Sequence, residues 1–148
     1  MDAKPPNPLS QLRANAPAGF RIPPPVFEEM EAETVGYDEG ERLRVRFPVR
    51  ERYQNPAGMM QGGAIAAAVD NTIGPLSYLV APPSVTTQLN LSYLRPVPPE
   101  MAHIEVEATF DERTRQHLYF SARVLDPSGR VVALAQATCV VVPRRSGA

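Results

Sequence analysis

The alternation of apolar and polar positions divides this chain into strands, interrupted once by a long apolar stretch. Arg42-Leu43-Arg44-Val45-Arg46-Phe47 alternates charge with apolar bulk, the mark of a half-buried antiparallel strand. Residues 33–37 predict a strand before it, joined through an Asp38-Glu39-Gly40-Glu41 turn. Downstream, residues 85–94, 103–110, 117–125 and 131–142 each predict a strand, with a polar turn over 111–116 and a hairpin turn at Asp126-Pro127-Ser128-Gly129. Between these groups runs QGGAIAAAVDNTIGPLSYL, residues 61–79. Residues 64–69 carry no polar side chain, so the pattern predicts a helix buried all round. Gly62 and Gly63 open it, Asp70 places one carboxylate on it, and Gly74-Pro75 should kink or end it. Two strands, one helix and four strands in hairpin succession predict an α+β domain, an antiparallel sheet packed on one long central helix.

The ends differ from this core. Residues 1–25 form a proline-rich N-terminal arm. A short helix with Leu9 and Leu12 on one face is expected there, followed by an extended, non-helical Arg21-Ile22-Pro23-Pro24-Pro25-Val26-Phe27. An arm lying over the domain and a disordered tail fit these residues equally well. The domain proper is expected over 26–143, with a frayed C-terminal tail at 144–148. Residues 48–60 form a loop with a turn at Asn55-Pro56-Ala57-Gly58.

Composition narrows the class. A chain of 148 residues suits one domain with one core. A net charge of −1 supplies no strong basic field, so a nucleic-acid partner is not expected. No apolar run is long enough to span a bilayer, and the N-terminus lacks the apolar core of a secretion signal. The single cysteine, Cys139, rules out an intramolecular disulfide, and a cytoplasmic setting is expected. Cys139 sits in an apolar strand and reads as inert core. His103 and His117 stand at strand starts with no metal-ligand cluster around them. A Gly-rich nucleotide loop is absent.

The central stretch N-P-A-G-x-x-Q-G-G-A-x-x-x-x-x-D, residues 55–70, followed by Asn90-Leu91-Ser92-Tyr93-Leu94-Arg95-Pro96, resembles the hotdog-fold acyl-CoA thioesterases, in the phenylacetate-pathway and hydroxybenzoyl-CoA branch. The resemblance covers roughly residues 45–142. It implies an α+β hotdog fold and hydrolysis of acyl-CoA, with coenzyme A as part of the substrate and no cofactor or metal. It further implies that the backbone N–H of Gly63, with Gly62, polarises the thioester carbonyl at the helix N-terminus. Asp70 maps to the helix carboxylate, as general base or nucleophile. Asn55 maps to the residue that positions water or substrate, and Thr86 to a hydroxyl that orients the attacking water. The histidine that precedes Gly-Gly in the family is Gln61 here, which hydrogen-bonds but carries no proton at neutral pH. The acyl group is expected between subunits, near Met59, Met60, Ile73 and Leu76.

Each residue also has a plainer role. Asp70 suits a structural ion pair with an arginine such as Arg95 or Arg123. Asn55 suits a turn, Thr86 an ordinary strand position, and Gly62-Gly63 a tight helix start. Exposed Arg113, Arg115, Arg144 and Arg145 fit solvent at least as well as the phosphates of coenzyme A. Spacing adds a separate argument. Seven residues separate Gly63 from Asp70, so ~10.5 Å of helix lies between them. One carbonyl cannot be close to both. A two-fold homodimer, alone or as a dimer of dimers, would bring one chain's Asp70 to the other's Gly63. A non-catalytic acyl-CoA-binding protein and a hotdog hydratase or dehydratase are the rival functions; the second lacks its usual acid–histidine pair here.

Overall fold

The computed structural model describes residues 7–143. The expected tail at 144–148, with Arg144 and Arg145, and the first residues of the arm lie outside the described residues. Strands β1 (Glu33–Asp38) and β2 (Arg42–Pro48) precede the long helix, and β3 (Ser84–Tyr93), β4 (His103–Arg113), β5 (His117–Leu125) and β6 (Val131–Val141) follow it. They form one antiparallel sheet in the order β1-β2-β4-β5-β6-β3. Alternation decides which side chains face in. Leu43, Val45 and Phe47 of β2 and Ile104, Val106 and Ala108 of β4 are buried, while the intervening charged residues point away. On that outer face Arg46 pairs with Glu105 at 3.3 Å and Arg123 with Glu107 at 2.8 Å.

Two short helices precede the sheet, α1 (Pro8–Asn15) and α2 (Pro25–Glu29). Helix α1 covers the stretch expected to be helical, and Asn7 caps it by accepting from the Leu9 N–H at 3.0 Å. The expectation that residues 21–27 stay extended is overturned at their end. Pro25 occupies the first turn of α2, where a missing N–H costs nothing. The arm is docked through Leu12, which is buried, as is Phe27 just after it.

The long helix α3 (Gly62–Val80) lies against the inner face of the sheet. It does not end at Gly74-Pro75 but runs on to Val80. A residue before proline resists the helical conformation mainly through its β-carbon, and Gly74 has none. The helix is also not buried all round. Ile65, Ala68, Val69, Thr72, Ile73, Leu76 and Ser77 are buried, at the spacing of one helical face. Gln61, Gly63 and Asp70 are exposed. Small residues give the opposite face little bulk with which to cover itself. Among the described residues no helix is long and apolar enough to cross a membrane. A six-stranded antiparallel sheet packed on one long central helix is the hotdog fold.

Candidate active site

The loop before α3 is pinned at several points. Asn55 Oδ1 accepts from the N–H groups of Ala57 and Met59, at 3.0 and 3.1 Å. Gly58 turns the chain at φ +81°, a conformation that favours glycine. The Met60 N–H donates to Val97 O and the Gln61 N–H to Tyr53 O, at 2.9 and 2.7 Å. Asn55 therefore performs the turn role; its Nδ2 makes no hydrogen bond among the described residues.

This bracing fixes the start of α3. The Gln61 side chain does not cap the helix. The Gly62 and Gly63 N–H groups, which have no partner inside the helix, find none elsewhere among the described residues. The positive end of the helix dipole thus opens onto solvent at Gly63. The two glycines have different reasons to be there. A β-carbon at Gly62 would sit 3.0 Å from Tyr93 Cζ, and the Tyr93 hydroxyl donates to Gly62 O at 2.7 Å. A β-carbon at Gly63 would meet nothing within 4 Å. We expect Gly62→Ala to lower the melting temperature by displacing the Tyr93 ring, whereas a β-carbon on Gly63 finds room; thermal unfolding of the two alanine variants checks the contrast. Tyr93 was visible in the sequence only as a motif residue. Its contact with Gly62 joins β3 to the helix start and could not be read from spacing.

Asp70 lies two turns further along. Its Oδ1 accepts from Thr86 Oγ1 at 2.9 Å. The arginine pairing considered from sequence is not formed. Arg95 donates to Val131 O at 2.6 Å, and Arg123 holds Glu107. Thr86 also lies 3.8 Å from Cys139 Sγ, and burial pushes that thiol up from its ordinary value. Taking 100° per residue, Gly63, Ala67, Asp70 and Gly74 fall within about 60° of arc. The open amide and the carboxylate therefore share one face of α3, which lies open at Gly63 and runs under the N-terminal arm from Asp70 to Gly74. That face adjoins β3, an edge strand without charged side chains whose residues 85–88 are all exposed.

Two clefts flank this face. One of about 410 Å³ lies at the helix start and is lined by Asn55, Met59, Met60, Gly62 and Tyr93. Another of about 290 Å³ holds Asp70 and lies under the N-terminal arm. The structure thus brings Asn55, Met59, Met60 and Gly62 together at one end, and Asp70 with Thr86 at the other. Ile73 and Leu76 join neither group. Both are fully buried against the sheet, because they lie on the inner face of α3, so the expectation that they line the acyl site is corrected. Among the described residues no cluster of three or more His, Cys, Asp or Glu side chains could hold a metal ion.

A helix with an uncapped Gly-Gly start and a carboxylate two turns on, held in a hotdog sheet, defines a class. Residues 57–133 match the thioesterase superfamily model, and this chain belongs to that superfamily. Comparison with curated proteins finds no match. Among solved structures, a phenylacetic acid degradation-related protein from Ralstonia eutropha JMP134 is 28% identical, with a TM-score of 0.75 over 91% of this chain and 100% of that one. The E. coli PaaI protein from the phenylacetic acid degradation operon is 16% identical, with a TM-score of 0.78 over 93% and 97% of the two chains. A mutant thioesterase from Pseudomonas aeruginosa is 22% identical, with a TM-score of 0.77 over 95% and 96%. The last two likenesses speak to the fold.

Proposed function

We propose that this protein hydrolyses acyl-CoA thioesters at a site shared between two copies of the chain. The observation that carries this reading is the pairing of two features on one open helix face. These are an exposed carboxylate oriented by Thr86 and an uncapped, exposed Gly63 amide with no hydrogen-bond partner among the described residues. In the proposed reaction the thioester oxygen accepts from the Gly63 N–H of one chain. Water bound at Asp70 of the other attacks the carbonyl carbon. Asp70 takes the water proton, the C–S bond breaks, and the proton passes to the leaving thiolate, giving free acid and coenzyme A. An amide donor of this kind stabilises the oxyanion by ~3–4 kcal/mol. Thr86 acts by holding the Asp70 carboxylate, and Asn55 lines the helix-start cleft where substrate or water would bind. No cofactor or metal has a part in this scheme.

The edge strand supports the shared site. An exposed, uncharged ten-residue edge is a template for pairing with a second chain. Two-fold pairing along β3 would lay two α3 helices side by side, antiparallel. Sedimentation velocity reporting a monomer at assay concentration would remove this reading.

Release of free thiol from acetyl-, phenylacetyl- and palmitoyl-CoA tests the activity. Cys139 should not interfere. It is buried, and burial keeps its thiol protonated, so the folded protein should show no reactive thiol, and the denatured protein one per chain. A second reading, an acyl-CoA-binding protein without turnover, draws support from Gln61, which stands where the family's histidine is expected. Tight binding of phenylacetyl-CoA with no thiol release would favour it.

A further inference from the structure

The N-terminal arm does more than pack on α3. Arg13 Nε donates to Ile22 O at 3.0 Å and closes the arm on itself. The Phe20 and Tyr78 rings stand 6.0 Å apart, centroid to centroid, and Asn71 Nδ2 meets Met30 Sδ at 3.4 Å. Of these, the Phe20–Tyr78 pair holds the arm against α3, and together they do not fill the space beneath it. A cavity of about 290 Å³ remains, roofed by Leu12, Phe20 and Ile22 and floored by Gly74 and Tyr78. Its lining is mainly apolar, with Asp70 contributing a carboxylate and Arg21 and Asn71 the other polar groups.

Gly74 gives a second, separate observation. A glycine inside a helix costs about 1 kcal/mol relative to alanine. A β-carbon here would meet nothing within 4 Å. The missing β-carbon also relaxes the strain of preceding Pro75, so the glycine alone decides nothing. The volume it leaves clear, however, belongs to the same cavity as Asp70.

We infer that this cavity receives the acyl group of the substrate, and that the N-terminal arm of the chain supplying Asp70 selects that group. The inference rests on the thioester-hydrolase reading above. A thioester carbonyl beside Asp70 would direct its acyl part under the arm and its coenzyme A part outward, towards the helix-start cleft of the second copy. The cavity is about twice the ~150 Å³ that holds a benzene ring. It therefore suits a single aromatic ring with its linker, or a medium-length chain. An acetyl group leaves it largely empty and a palmitoyl chain exceeds it.

The test uses the full-length chain, as wild type, Gly74→Leu and Phe20→Ala, with thiol release from acetyl-, phenylacetyl- and palmitoyl-CoA. Wild type should prefer phenylacetyl- over acetyl-CoA in kcat/KM by about 10-fold or more. Gly74→Leu, which fills the cavity floor, should cut that ratio about 10-fold. Phe20→Ala, which opens the roof, should raise palmitoyl-CoA relative to phenylacetyl-CoA, and it keeps the test valid should Gly74→Leu not fold. Ratios unchanged in folded variants of an active enzyme would overturn the arm's role and leave the hydrolase reading intact. If wild type releases no thiol from any of the three, hydrolysis falls and calorimetric titration with phenylacetyl-CoA decides the cavity. A loss of affinity of about 10-fold in Gly74→Leu would sustain the cavity as the acyl site; equal affinity would overturn it.

Discussion

Co-expressed Asp70→Asn and Gly63→Val chains should turn over acyl-CoA at about a quarter of the wild-type rate, although each variant alone is nearly inactive. Asp70→Asn removes the base and should lower kcat by about 10²–10⁴. Gly63→Val places a branched side chain over the amide that receives the carbonyl oxygen. In a two-fold dimer each site draws Asp70 from one chain and Gly63 from the other. A mixed dimer therefore holds one site with both residues changed and one with both intact. Random pairing makes about half of the dimers mixed, each with one of two sites working, hence about a quarter. The substitutions are two helical turns apart, so a site confined to one chain would carry one lesion in every copy and recover nothing. Absence of recovery, with dimers verified by sedimentation, would refute the shared site.

Gly63→Ala should separate catalysis from stability. The added methyl meets nothing within 4 Å among the described residues, and alanine is the better helix former by up to about 1 kcal/mol, so the melting temperature should hold or rise. Turnover should fall by about 10² or more, because the methyl stands where the thioester oxygen must approach the amide. Thiol release and thermal unfolding on the same preparation read both effects. Wild-type turnover in a stable Gly63→Ala protein would mean that the carbonyl is polarised elsewhere.

Much of this molecule is legible along the chain. Alternation at Arg42–Phe47 and at residues 103–110 places the sheet faces, because a strand's side chains have a period of two and one face must be dry. The apolar run at 64–69 marks the central helix, and the Gly-Gly start with an acid seven residues on marks the candidate chemistry. What failed there failed for local reasons. An unbroken apolar run predicts complete burial, yet where its side chains are small it also leaves a face open for a ligand or a second chain. Proline predicts an extended chain at residues 21–27 and a kink or end of the helix at Gly74-Pro75. It is tolerated in a first turn and after a residue without a β-carbon.

The sequence by itself determined the order of strands and helix, the sheet's inner face, and which carboxylate stands on α3, since these follow from periodicity and from the types of residue present. Only the tertiary structure decided that Thr86 rather than an arginine holds Asp70, that Tyr93 packs on Gly62, that Ile73 and Leu76 belong to the core, and that the proline-rich arm roofs a cavity beside the acid. Those contacts join residues 16 to 58 positions apart. Such approach depends on how sheet, helix and arm close on one another, and no local pattern carries it.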